Sequence, residues 1–419
     1  MNNRTAGVSI SNVVINGSDV GLRIQHTGAV SINNCRFSNN NKGVEVLSEY
    51  AKVIISDSQF HRNNYGIDFV DRGTFAIRGC QFTQQYESAI HGSPNRSRPQ
   101  PETMSILENI FAENRGSIDL SLSHRTSLRL VKNKFENETA PMFACIKLRV
   151  WNSNVTVEGN EFLRMKSEAM LIVATESANI ITIKNNTWKY GINPLRIYYA
   201  GGYGPSTIDN TTTIENNVFY ANDGALSLYY NGSTVVRIRL NEFTENTGKA
   251  IIFTWTEDAI PFEVYSNNFS MNSVEVGVIH ASEPCEIHYN SFSNPNSSHD
   301  LVLGDVYNSG QTGSGGRGGV TNATYNWWGV ANRSGVGKRI RIIDSPQLAV
   351  KHTALWEPFL AHDPLMSCAD VANCSNHGVC VGADTCRCED GWLQPDCSQA
   401  SCAQLNNCHG RGTCVAPNR

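Results

Sequence analysis

Asp68, His91 and Asp119 follow one another at nearly regular intervals along the chain. Two carboxylates beside an imidazole could carry general acid–base chemistry. Sites that cleave or epimerise polysaccharides need such carboxylates together with a Lys, Arg or His base, or a calcium ion. Here there is neither an Asp-Asp pair nor a Gly-His-Gly to go with the cluster. A solvated mixed-charge face is therefore expected at these residues, with no catalysis, no cofactor and no metal. The second group with chemical potential is the 13 cysteines. Nine lie between Cys368 and Cys414, and only Cys35, Cys80, Cys145 and Cys285 precede them. A Cys-rich zinc site would use CxxC pairs and histidines. No CxxC pair is present, so the clustered cysteines are expected to form disulfides.

The clustered part reads Cys368-x5-Cys374-x5-Cys380-x5-Cys386-x-Cys388-x8-Cys397. So short a segment cannot bury a sufficient core and needs covalent staples. Its spacing, with Gly391-Trp392 before the last cysteine, resembles an EGF-like module over residues 366–398. The resemblance implies the pairs Cys368–Cys380, Cys374–Cys386 and Cys388–Cys397. Gln394 departs from it, where many modules carry Gly. Cys402-x5-Cys408-x5-Cys414 then begins a second module, truncated over 399–419. These modules imply an oxidising, extracellular setting. Calcium-binding members carry acidic residues before the first cysteine; Pro364-Leu365-Met366-Ser367 stands here, so no calcium is expected. The chain is expected to be a fragment of a longer protein.

The elements that would position all these residues come from a repeat. Asn-x-Phe/Trp recurs with Asn109, Asn133, Asn160, Asn186, Asn217, Asn241, Asn267, Asn290 and Asn326 in one slot. Val13, Cys35, Ser58 and Cys80 hold the slot upstream, giving thirteen repeats at steps of 22 to 36 residues. Before the slot come alternating inward-type pairs such as Val155/Val157 and Ile181/Ile183. After it comes a small residue followed by apolar-x-apolar, as in Gly43-Val44-Glu45-Val46. Period-2 alternation marks short strands, about three per repeat. Helical solenoids need 3.6-period stripes, which are missing. The pattern resembles an all-β right-handed parallel β-helix of about thirteen coils over residues 1–365, including a C-terminal cap. Identical side chains would then stack coil on coil, and the nine Asn would form a hydrogen-bonded ladder. The ladder accounts for much of the unusual Asn content, 45 residues. Asn217, in the slot, is expected to matter more than Asn222 outside it. The four early cysteines are expected to be buried and unpaired.

The ending, Asn326-Trp327-Trp328-Gly329 followed by Ile343-Asp344 and Pro358-Phe359-Leu360, is read as the last coil plus a cap over 327–365. It resembles β-helix blocks in bark beetle (anakonda) proteins of insect tricellular junctions. That likeness implies a junctional adhesion or scaffold role, with membrane attachment through a segment outside this chain. Tyr65-Gly66-Ile67-Asp68 resembles an alginate-epimerase motif, but Phe69-Val70 replace its Pro-His and the four residues fall on a repeat position.

Composition narrows the partners. With 34 basic against 38 acidic residues, polybasic nucleic-acid or membrane-surface binding is excluded. Apolar runs such as Ala169–Ala174 are far too short to span a bilayer, and the residues after Met1 form no secretory h-region. Thirteen Asn-x-Ser/Thr sequons favour secretion. Asn16, Asn95, Asn137, Asn154, Asn210, Asn231, Asn296, Asn322 and Asn332 are the candidate glycosylation sites, while Asn185, Asn268 and Asn373 sit in packed or disulfide-rich contexts. Three insertions, 91–102, 200–210 and 308–319, fall at one repeat position, and insertions of this kind project from one edge of a solenoid. The outward column beside them ends in Ile252, Ile279 and Val302, expected to form an apolar partner surface. The expectation is a non-enzymatic adhesion or junction scaffold on the extracellular side of the plasma membrane. Its partners would be extracellular or junctional proteins, or glycans. The alternative is a secreted carbohydrate-active β-helix enzyme or glycan binder.

Overall fold

A computed structural model describes residues 7–25, 28–48, 51–69, 73–92, 103–122, 125–139, 144–175, 178–200, 210–230, 234–256, 262–304, 319–343, 351–361 and 363. It also describes residues 374–375, 377–382, 385–389, 391–393, 396–402 and 414 of the tail. The chain up to Leu355 winds as a parallel β-solenoid with three sheets. They hold fourteen, twelve and thirteen strands, and each strand pairs with the equivalent strand one coil before and after. The expected uniform count of thirteen differs because the ending abandons the regular coil. Past Ser291–Ser293 the second sheet continues only as a bridge from Ser291 to Trp327. Meanwhile the first sheet adds Gly319–Asn322 and His352–Leu355, and the third adds Ile340–Ile342.

Alternation builds each coil. In Asn154–Glu158 of the first sheet, Val155 and Val157 point inward and their neighbours outward. Three-residue strands such as Glu161–Leu163 form the second sheet and contribute one inward ring each. Twelve rings stack along the interior from Phe37 to Trp328, with Trp188 among them. Neighbouring centroids lie 4.6–5.1 Å apart and the planes within 12° of parallel. Free aromatic pairs prefer offset or edge-to-face contacts. The strand spacing of ~4.8 Å imposes the near-parallel stack instead.

The slot Asn residues lie behind the turn between the first two strands, all buried. The backbone N–H of Asn217 and its Nδ2 both donate to Asn241 Oδ1 at 2.9 Å. Nδ2 also donates to Ile183 O, one coil back, at 2.9 Å. The same triplet recurs from Asn109 to Asn290 and ends on Asn326. Upstream, the Cys35 N–H donates to Ser58 Oγ and that of Cys80 to Asn109 Oδ1.

A second ladder, which the repeat count did not single out, stands behind the turn after the second strand. It runs Asn40, Asn63, Gln85, Asn114 and Glu138, then Asn222, Asn246, Asn272 and Asn294. Asn222 is 1% exposed, and its N–H and Nδ2 donate to Asn246 Oδ1 at 3.0 Å. This corrects the expectation that Asn222 matters less than Asn217. Just ahead of the first slot, residues as unlike as Leu240, Tyr289 and Asn216 adopt φ near 55°. That conformation favours Asn and supplies a further reason for its abundance.

The ending is clamped by one arginine. Helix Arg333–Arg339 is capped by Asn332, whose side chain accepts from Gly335 N–H at 2.8 Å, and it buries Val336. Arg339 then grips the fully buried Asp300 carboxylate at 2.7 and 2.9 Å and donates to Ser297 O and Asn294 O. Trp356 and Phe359 pack against the core.

Both ladders can be tested by thermal melts. Asn217→Leu and Asn222→Leu should each leave neighbouring amides unsatisfied and cost about 1–3 kcal/mol. The exposed Asn154→Leu should be near neutral. Matching midpoints for all three variants would remove the ladders as a source of stability. Glu138 adds a pH signature: burial pushes its carboxyl up to about 8, although Ser117 and Asn114 hydrogen bonds oppose the shift. Between the ordinary carboxyl value and about 8, the unfolded chain ionises while the folded one holds the proton. Stability therefore falls as pH rises through that window, by at most ~1.4 kcal/mol per unit. Gln85 shows that a glutamine fits this ladder, accepting from Asn63 N–H at 3.1 Å. Glu138→Gln should flatten the slope, so its advantage in midpoint grows from about pH 5 to about pH 8. A constant advantage across that range would contradict the buried neutral carboxyl.

Candidate functional site

The outward column of the third sheet holds the expected acid–base residues in register. His91 pairs along the backbone with Asp68 on one side and Asp119 on the other. Their side chains, however, are tied up. Asp68 receives His91 Nδ1 at 2.7 Å and Lys42 Nζ at 2.7 Å. Lys42 also reaches Glu45 at 2.5 Å, and Arg23 reaches Glu45 at 2.7 Å. Burial works to raise the Asp68 and Glu45 carboxyls, but the cations beside them outweigh it and hold both below the ordinary range. Asp119 pairs with Arg149 at 2.8 Å. The strip is thus a chain of ion pairs with its carboxylates already satisfied. Among the described residues no group of three His, Cys, Asp or Glu could hold a metal ion.

Further along, the expected apolar surface is not there. Ile252, Ile279 and Val302 are all 0% exposed. Thr247 is bridged to Asp223 and Ile252 pairs with Leu226, so strand Thr247–Thr256 fits four residues where the preceding coil fits two, and Gly248 among them takes φ +101°. Counting Ala250 as the equivalent of Ala225 is therefore one residue short, and with a side-chain period of 2 an offset of one residue puts each side chain on the other face. Ile252 therefore pairs with the inward Leu226 and Ile279, and the outward places pass to Phe253 and His280. Val302 keeps its place beside His280 but lies under the preceding strand. A Cβ on Gly277 would stand 2.5 Å from its Cγ2.

That turnover makes a groove of about 580 Å³ on the outer face of the third sheet. Tyr229, Phe253 and Trp255 line it, each half-buried, and the buried His280 closes one end. Tyr198, Tyr229 and Trp255 are backbone partners on successive coils. Ring centroids are 6.4 Å apart for Tyr198–Tyr229, 5.7 Å for Tyr229–Phe253 and 5.3 Å for Phe253–His280. The Arg196 guanidinium lies 5.9 Å from the Tyr229 ring centre and 2.9 Å from Glu168 Oε1. Burial pushes the Glu168 carboxyl up to about 6, against the pull of Arg196. Asn193, Asp223, Ser227 and Lys249 complete the polar rim. None of these groove aromatics was singled out from the sequence. The signal was present in Ser227-Leu228-Tyr229 and Phe253-Thr254-Trp255, read in the shifted register.

The other expected sites fall as follows. Cys374–Cys386, Cys388–Cys397 and Cys402–Cys414 are disulfides. Cys368 and the Cys380 side chain lie outside the described residues. Cys35, Cys80, Cys145 and Cys285 are buried and form no disulfide, and burial pushes the Cys80 and Cys285 thiols up to about 12. Asn16, Asn154, Asn296 and Asn332 are exposed, Asn137 and Asn322 half-buried, and Asn95 and Asn231 outside the described residues. Asn210 is 7% exposed and accepts from Asn179 N–H and Nδ2 at 3.0 Å. A glycan has no room there, which corrects its place among the candidates. The three insertions lie mostly outside the described residues, but all join a strand of the third sheet to one of the first. Under non-reducing denaturation the four early cysteines should all alkylate, while the three disulfide pairs should not. Peptide mass spectrometry finding a bridge among the four would break the coil register.

Residues 1–162 match the family model described as a right handed beta helix region. No curated protein and no solved structure matches the chain. The paired sheets carry the same coil well past the matched segment, so the fold is a parallel β-helix of that type with a disulfide-bonded tail.

Proposed function

We propose that this chain is a non-enzymatic extracellular recognition rod, an adhesion or junction-scaffold part of a larger membrane-anchored protein. The observation that carries the reading is the single carboxylate, Asp223, among the described residues lining the groove. Glycoside hydrolysis uses two carboxylates, one on each side of the bond. The other acid–base candidates are held in ion pairs on earlier coils. Disulfides favour an oxidising compartment. No helix among the described residues is long and apolar enough to cross a membrane. The EGF-like reading of 366–398 and 399–419, and the likeness of the ending to junctional β-helix proteins, supply the adhesive context. Partners are extracellular or junctional proteins, with glycans as the second class.

Two measurements test this. The purified chain should release no product from pectate, polygalacturonate or alginate, with or without calcium. Cells displaying it should aggregate more than cells displaying an unrelated β-protein. Turnover abolished by Asp223→Asn or Asp68→Ala would overturn the non-enzymatic reading, and dispersal equal to the control would overturn the adhesive one.

A further inference from the structure

We infer that the groove on the third sheet is a saccharide site, which takes a short, linear, uncharged glycan lying along the rod axis. This deepens the recognition reading above and rests on it. Tyr229 and Trp255 line the groove as backbone partners on neighbouring coils, one rise of ~4.8 Å apart, which is close to the length of one pyranose in a linear chain, and Tyr198 continues their column just outside the lining. A glycan running along the axis would therefore meet about one ring per sugar. The groove spans four coils, from the strand of Arg196 to that of His280, giving three rises of ~4.8 Å and room for about three sugars. Its volume of about 580 Å³ is that of a small-ligand site.

Chemistry narrows the class. Tyr229, Phe253 and Trp255 are half-buried, so the groove they line offers electron-rich aromatic surface to the C–H faces of sugars. The rim supplies acceptors and donors together, from Asn193, Asp223 and Ser227. Sugar hydroxyls can serve both kinds, whereas an acyl chain or apolar peptide would cover these groups without pairing them, at a cost. An acidic glycan is disfavoured as well. Arg196 is already matched by Glu168, and the carboxylate of Asp223 lines the groove.

The test titrates the full chain with the β1,4-linked trimers of glucose, mannose and N-acetylglucosamine, and with trigalacturonate. Calorimetry and tryptophan fluorescence are the readouts. At least one neutral trimer should bind. Trp255→Ala and Tyr229→Ala should each weaken it by about tenfold or more with unchanged thermal midpoints, and Trp255→Phe should retain most of the affinity. Tyr86→Ala, on an earlier coil, should change nothing. The inference is overturned if no neutral trimer binds at millimolar concentration, if only trigalacturonate binds, or if both alanine variants bind normally. Cell aggregation in the same variants separates the two readings. Aggregation that survives while no trimer binds removes the saccharide site and leaves adhesion. Trimer binding without aggregation removes adhesion and leaves the site.

Discussion

The vertical rise of one coil, ~4.8 Å, is the constraint on which the rest depends. Backbone hydrogen bonds between successive coils set it, and no side chain in the interior can choose another spacing. A residue type is therefore acceptable at a given place only if it tolerates a copy of itself at that distance. Asn meets this in the turns, because its Oδ1 accepts from the coil below while its Nδ2 donates to the coil above. Phe meets it in the core by stacking near-parallel, an arrangement it would not select alone. Both choices follow from translation by a fixed distance.

The same constraint explains how the rod makes a site without adding a domain. Identical coils give a flat, repetitive face, and the early part of the third sheet shows this as a run of ion-paired cations and carboxylates. A groove needs a break in the repetition. The two extra residues between Thr247 and Ile252 provide it: Phe253 and Trp255 come to line the outer face, and Ile252 turns in. Gly277 then permits the close approach of Val302 on the following coil. The backbone keeps its pairing through all of this, so recognition chemistry is gained with little loss of ladder hydrogen bonds.

Most of the fold was legible because stacking turns structure into sequence periodicity. The Asn-x-Phe phrase, the inward pairs before it and the burial of all four early cysteines could be read from spacing alone. The second ladder was equally periodic, but Gln85 and Glu138 interrupt its identity, and side-chain type hid what position would have shown. The candidate site was illegible for a sharper reason. Its residues follow two extra residues between Thr247 and Ile252, and counting from a small residue before apolar-x-apolar gives Ile252 the outward place that Phe253 holds. Periodic reasoning fails where the period breaks, and the break is where the groove forms.

Electrostatics separates the two stretches of the same face. In the coils of Arg23 to His91, each buried carboxylate has a cation on an adjacent rung, and both Asp68 and Glu45 are held ionised. These pairs hold charge that would otherwise be costly at such burial. Beside the groove the balance is reversed. Glu168 meets a single arginine and its carboxyl is pushed up to about 6, while that arginine also faces the ring of Tyr229. Removing water from this side of the groove would strengthen the Arg196–Glu168 attraction and press the guanidinium toward Tyr229. A ligand that excludes water without bringing charge of its own would thus stiffen the aromatic wall it rests on, whereas a charged one would compete for Arg196 and loosen it.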